Sequence, residues 1–304
     1  MASDVTTTSD APEVDVNSVK HTLRMAIMLC LACSVLVSFA AVGLKTIQDG
    51  KKKAFREENI LKAAGLWDDN ADPAELMSQI EAVVVDMETG DATVDEAEAD
   101  RINQKIRKIV KDPTQSDEIA DDIAGIRRRE QKAVVYRITE SGKLKTVILP
   151  IRGYGLWSTL WGFVALDMTD AGTGPDKIFI TGLTFYEQKE TPGLGGEVDN
   201  PKWKAKWPGK KAFDANWKPK IAVKKSAEGI YAVDALSGAT ITSRGVSNML
   251  KYWLGDEGFG PYLRKASGAA PEAHGEPADG SAGAEAAEHK EEKPHDSNQE
   301  HEEK

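Results

Sequence analysis

The chain has 304 residues, two cysteines, five histidines and a formal net charge of −10. Its length allows one large or two ordinary domains with a self-sufficient core. The charge is uneven: residues 266–304 carry eleven acidic and three basic side chains, so the remainder is close to neutral and has no basic stripe for nucleic acid. Both cysteines, Cys30 and Cys33, lie near the N-terminus, and no histidine occurs between residues 47 and 265. A disulfide framework, a thiolate or histidine metal centre, a Ser-His-Asp triad and a Cys-His pair are thereby excluded from that segment. Chemistry there needs carboxylates, lysines, hydroxyls or an imported cofactor.

Residues 1–19 are small and polar and read as a disordered N-terminus. Residues 25–44 form an uncharged apolar run. At about 1.5 Å per residue such a helix crosses a bilayer core of about 30 Å, which predicts a single transmembrane helix over 20–46. A cleaved signal peptide ending near Ser38-Phe39-Ala40 competes, but the run is long and the preceding region acidic. Cys30 and Cys33 share a face of this helix and read as inert apolar residues. Lys45 and Lys51 to Lys53 outnumber the basic residues before the span, which by the positive-inside rule favours a cytoplasmic domain, but the rule weakens when a long domain follows a lone helix and leaves the orientation open.

Residues 47–130 are expected to be a helical region packed on the following domain. Helix is predicted over 51–66. A second begins at Asp72-Pro73-Ala74-Glu75, an N-cap followed by proline and an acidic first turn, and runs to Met87. A third covers 93–111, and 112–130 is charged and irregular. From 132 the period changes to that of strands, at 133–138 and 144–151 around the hairpin signature Glu140-Ser-Gly-Lys143, then at 160–168 and 177–186. A Gly-rich and Pro-rich loop, 190–201, leads to a stretch rich in tryptophan and lysine. Trp203, Trp207 and Trp217 in that stretch read as packing anchors. Short strands at 221–224 and 230–235 precede a helix over 242–254 with Val246, Met249, Leu250, Trp253 and Leu254 on one face. Strands in a block with helices around them predict an α+β domain over 131–265. Residues 266–304 read as a disordered acidic tail.

Three segments carry candidate chemistry. Ser237-Gly238-Ala239-Thr240 lies between a strand and a helix, where free amides and a positive dipole end suit a phosphate; the competing reading is a plain turn with Thr240 or Thr242 as N-cap. Glu190-Thr-Pro-Gly-Leu-Gly-Gly196 has a backbone that can approach a flat ligand, or is simply a tight connection. Gly153-Tyr-Gly-Leu-Trp-Ser158 lacks the third glycine and the following helix of a dinucleotide fingerprint.

Together these segments resemble one family. Asp234-Ala-Leu-Ser-Gly-Ala-Thr240 is similar to the flavinylation motif of FMN-binding domains, in which a flavin transferase moves FMN from FAD onto the last threonine. Glu190-Thr-Pro-Gly-Leu-Gly195 and Gly153-Tyr-Gly-Leu-Trp157 match further hallmarks. The continuations Gly196-Glu-Val-Asp-Asn-Pro201 and Trp253-Leu-Gly-Asp-Glu-Gly-Phe-Gly-Pro261 resemble the C subunits of the sodium-translocating NADH:quinone oxidoreductases. The resemblance implies FMN joined covalently through its phosphate to Thr240, with Asp234, Ser237, Gly238, Ala239 and Thr242 around the attachment point. Glu190, Thr191, Gly193, Leu194 and Gly195 would line the isoalloxazine, and Leu156 and Trp157 would cover another part. No metal is implied. Gln188 stands where related subunits often carry histidine, so it is given no acid–base role. The resemblance further implies an electron carrier among other subunits of a membrane NADH:quinone reductase, a flavin transferase as maturation partner, and a single-pass protein of the bacterial inner membrane. It places the flavin domain on the periplasmic side, against the lysine count. An equivalent subunit of the related ferredoxin-linked complex and a cofactor-free, membrane-tethered binding module are the alternatives.

Overall fold

The computed structural model describes residues 18–268. The expectations for residues 1–17 and for the acidic tail beyond residue 268 lie outside the described residues. A single N-terminal apolar helix leads into a mixed domain, as the α+β reading expected.

Helix α1 spans Val19–Ala64 without a break, so the predicted span and the predicted helix at 51–66 are one element. Residues 19–45 of it are long and apolar enough to cross a membrane and are not buried against the rest of the chain, which fits a membrane anchor. Its last turns instead bury Ile60, Leu61, Ala63 and Ala64 against the domain. Gly65 ends it in the left-handed region at φ 72°, with its amide turned back to the carbonyls of Leu61 and Lys62.

The helix predicted from Asp72 to Met87 is largely overturned. Asp72 does cap α2, Pro73–Met77, but the chain then becomes strand β1, Glu81–Asp86. The β-branched run Val83-Val84-Val85 decides this: it pairs antiparallel with the later strand β5, Lys132–Glu140, and buries side chains on both faces. Strand β2, Ala92–Thr93, is the outer edge next to β1. Helix α3, Glu96–Ile109, is close to its predicted range, with Asp95 accepting from the Glu98 amide and Arg107 and Lys108 in its last turn. The segment expected to be irregular holds a small antiparallel pair, β3 (Ser116–Glu118) and β4 (Arg128–Glu130).

The central sheet has six strands in the order β2-β1-β5-β6-β7-β8, with β6 at Lys143–Tyr154, β7 at Thr159–Asp167 and β8 at Phe179–Glu187. All its pairings are antiparallel. The β5–β6 turn takes positive φ at Ser141 and Gly142, the two-residue geometry that matches strand twist. Val84, Val134, Tyr136, Ile148, Phe163 and Ala165 face α1 and α3. Val83, Val135, Val147, Leu149, Leu160 and Val164 face the opposite way, onto α5 and the tryptophan-rich segment. The sheet is therefore buried on both sides, which explains its nearly continuous apolar strands.

Helix α5, Thr240–Leu254, begins two residues earlier than predicted. Before it come α4, Pro201–Lys204, and the parallel pair β9 (Ala222–Lys224) and β10 (Ala232–Asp234). A short α6, Gly260–Ala266, follows. Trp203 and Trp207 are buried with their rings in edge contact, and Trp217 packs on Phe213.

Two contacts fix α5 on the sheet. Arg152 and Glu130 form a buried ion pair at 2.5 Å, with the guanidinium stacked between the rings of Trp161 and Trp253. The Trp253 indole N–H donates to the Arg152 carbonyl at 2.7 Å. Farther along, α5 and β6 approach so closely that a Cβ on Gly245 would lie 2.4 Å from the Tyr154 carbonyl oxygen, and one on Gly153 2.6 Å from Met249 Cβ. Removing one partner of a buried ion pair strands the other charge at a cost of about 3–5 kcal/mol. Glu130→Ala is accordingly expected to destabilise the domain by about that amount in urea unfolding, and a loss below about 1 kcal/mol would contradict this role.

Candidate functional site

The β6–β7 connection is a four-residue turn closed by a hydrogen bond from the Gly155 amide to the Ser158 carbonyl, 2.9 Å. Its amides point inward. Leu156 N–H donates to Glu190 Oε2 at 3.0 Å and lies 3.2 Å from Oε1; Trp157 and Ser158 donate to Oε1 at 3.0 and 3.2 Å. Their side chains turn the other way, and Leu156 and Trp157 remain 41 % and 66 % exposed.

Glu190 arrives from the loop after β8. Gln188 organises that loop: its side-chain oxygen accepts from the Glu190 amide at 2.7 Å, and its side-chain nitrogen donates to Asp199 at 3.0 Å. Ser158 joins it, accepting from the Lys189 amide at 2.9 Å. Ser158 was not singled out from the sequence, although it ends the Gly153 motif. The Thr191 carbonyl accepts from the Leu194 and Gly196 amides, which folds the loop back and leaves Thr191, Gly193 and Leu194 exposed.

The third segment is the start of α5. Gly238 takes φ +69°, and a Cβ there would meet Leu194 at 2.9 Å, so the Ser237-Gly238 turn and the loop touch. Ala239 precedes the helix and supplies no side-chain cap. Thr240 is the first helical residue and is exposed, as are Ser237 and Ile241. Thr242 is buried and donates its hydroxyl to Glu190 Oε2 at 2.7 Å. The reading of Thr240 or Thr242 as a side-chain cap is therefore not what the helix adopts. Ser243 instead accepts from the Leu236 amide at 3.0 Å and steadies the turn.

These bonds bring 155–158, 190–196 and 238–242 together around one carboxylate. Glu190 is 5 % exposed. Burial works against its charge, but hydrogen bonds from Thr242 and the amides of Trp157, Leu156 and Ser158 outweigh that, holding its pKa below the ordinary glutamate value. Gly155 and Gly195 make room: a Cβ on either would come within 2.8 Å of a Glu190 carboxylate oxygen. Asp234 is not among the groups gathered on Glu190. Its carboxylate is engaged by Lys206 at 2.7 Å and the Ala227 amide at 3.3 Å, and the hydrogen bond from Lys206 is the main cause of its lowered pKa. Its carbonyl accepts from the Trp203 indole.

Comparison with known proteins bears on what this arrangement is for. A family described as "FMN-binding domain" matches residues 155–255, the stretch containing all three segments. Over 258 residues the chain is 44 % identical to the C subunit of the Na(+)-translocating NADH-quinone reductase of Pseudomonas aeruginosa, spanning 81 % of this chain and 95 % of that one. Over 255 residues it is 44 % identical to the subunit of the same name from Haemophilus ducreyi, spanning 82 % and 95 %. The chain belongs to the family of C subunits of the Na(+)-translocating NADH-quinone reductases. The crystal structure of Shewanella oneidensis NqrC has the same fold, with a TM-score of 0.64 and 31 % identity over 72 % of this chain and all of that one. In this member of the family, the matched FMN-binding region starts at the turn that Glu190 holds and ends one residue beyond α5.

Hydrogen bonds to a charged buried group contribute about 1.5–3 kcal/mol each. Glu190→Gln keeps the shape and removes the charge, so it should lower stability at pH 7 by about 1–3 kcal/mol. Because the folded-state pKa is depressed, this contribution is present above the unfolded value of about 4.3 and is lost as pH falls through the lower folded value. The gap between wild type and variant in urea unfolding is expected to begin narrowing as pH falls below about 4.3. A gap that persists unchanged at about pH 3 would show that the charge is not its source.

Proposed function

We propose that this subunit carries FMN covalently, esterified through its phosphate to Thr240, and relays electrons between other subunits of a Na(+)-translocating NADH:quinone oxidoreductase, a step coupled to Na+ export. The observation that carries the proposal is the exposed Thr240 hydroxyl on the first residue of a helix without a side-chain cap, beside a glycine turn. The positive end of the α5 dipole and its first amides favour a phosphate there. Gly238 keeps the approach open where a side chain would strike Leu194.

The surrounding residues fit the rest of the group. Leu156, Trp157, Leu194 and Ile241 are exposed apolar side chains on the three converging segments, a surface suited to a flat aromatic ring. Thr191 is exposed and offers a hydroxyl beside them. When bound, FMN would supply the electron-carrying chemistry that no side chain here possesses. The protein's part is to hold the ring, exclude water from its apolar face and prevent the carrier from diffusing away. Glu190 has its hydrogen-bonding capacity taken up inside the fold, and the site has no histidine to exchange protons. The oxidation of NADH and reduction of quinone belong, in this proposal, to the partner subunits. Attachment needs a flavin transferase. The α1 span would anchor the domain in the bacterial inner membrane, and the family resemblance favours the periplasmic side for it. Asp234, held by Lys206 at the end of β10, would belong to the surface the transferase recognises.

The test is flavin fluorescence in a denaturing gel, from cells that also make an active flavin transferase. Wild type should fluoresce and Thr240→Val should be dark. A dark wild type would leave the Ser237-Gly238-Ala239-Thr240 segment as a structural turn. Fluorescence retained in the variant would move the attachment elsewhere.

A further inference from the structure

Glu190 stands in the loop whose residues were expected to line the flavin, yet its side chain does not face the open site. Its carboxylate receives the Leu156, Trp157 and Ser158 amides from one element and the Thr242 hydroxyl from another. A carboxylate has about four acceptor positions, and these donors use them. None of these donors is a cation, so the negative charge is solvated by dipoles and is not cancelled by a counter-charge. Gly195, in the loop whose backbone was expected to approach a flat ligand, and Gly155 on the β6–β7 turn both lie where a Cβ would meet this carboxylate.

We infer that Glu190 is a positioning residue: it ties the β6–β7 turn to the first turn of α5, fixing Leu156 and Trp157 relative to Thr240, and thereby sets both the seating and the electrostatic environment of the flavin. The inference rests on the proposal that FMN is attached at Thr240. Two consequences follow from the geometry. Without the carboxylate, three amides of the turn lose their acceptor and the turn is freed from α5. A negative charge held by dipoles at the junction of these segments would also oppose the arrival of electrons on a flavin bound there, so its removal should make the flavin easier to reduce.

The full chain, matured with the flavin transferase, is compared with Glu190→Gln and Thr242→Val. Gel fluorescence reports attachment, visible circular dichroism reports the seating of the ring, redox titration gives the midpoint potential, and hydrogen exchange follows the amides of 156–158. Glu190→Gln keeps one acceptor oxygen but removes the charge, so it should fluoresce like wild type, show an altered flavin dichroism and a more positive midpoint potential, and speed exchange at 156–158 by more than it speeds exchange in β6 and β7. Thr242→Val keeps the charge and removes one tie, so its dichroism should change with a smaller shift in potential. A fully loaded Glu190→Gln protein with the dichroism, potential and exchange of wild type overturns the inference. So does a folded Glu190→Gln protein that is dark beside a fluorescent wild type, because the carboxylate would then serve attachment and not seating. A dark wild type defeats the flavin reading alone; the exchange rates at 156–158, measured equally well in Thr240→Val, still decide whether Glu190 holds the turn.

Discussion

A single buried carboxylate holds three distant stretches of chain together. Glu190 could not remain charged in an apolar interior without strong donors, and the β6–β7 turn and Thr242 provide them. The dependence is mutual: the turn would otherwise hold inward-facing amides with no acceptor, and such groups are costly to bury. Charge, turn conformation and helix start therefore determine one another. The apolar side chains of the turn point outward because its amides point inward. Under the flavin proposal, a surface for the ring and an anchoring hydroxyl follow from satisfying one anion.

That arrangement is only as exact as the placement of α5 on the sheet. The helix is pinned at its far end through Trp253 on Arg152, whose guanidinium is in turn held by Glu130 and Trp161. Near the site it is pressed against β6 at Gly153 and Gly245. Stacking of Trp253 on Arg152 and its indole hydrogen bond resist sliding at one end, while close backbone approach resists lifting at the other. Thr242 reaches Glu190 because the helix is held at both ends.

The motif segments were legible in the sequence because each is contiguous and two of them are rich in glycine, and the helical stripe of α5 named its buried face. What lay hidden depended on contacts between segments. Nothing local reveals that Glu190 points inward, since the amides that donate to its carboxylate lie 32 to 34 residues away. The same holds for Gly245, whose small size answers to the Tyr154 carbonyl. Asp72-Pro73 signalled a helix correctly, but its end was missed: Val83, Val84 and Val85 suit a helix poorly, and it is pairing with β5 that makes them a strand. The apolar stripe of α5 begins only at Val246 and leaves its first turn unmarked, so the helix start read from the sequence falls two residues late. The Thr242 hydroxyl has a charged acceptor in Glu190, and the helix begins uncapped at Thr240.

Helix α1 has one more implication. The residues that suit a bilayer and those that grip the sheet lie on the same unbroken helix. Each residue of a helix advances about 1.5 Å and turns roughly 100°. With residues 19–45 in a bilayer, the length of the stretch between Lys45 and Ile60 would fix the height of the domain above the lipid and its compass heading at once. One added residue would swing the domain by roughly a quarter-turn, and only additions near a whole number of turns would restore its heading. Under the flavin proposal, in which the domain must face fixed neighbours, the register of this stalk would work as an alignment gauge, and residues with little chemistry of their own would become intolerant of insertion.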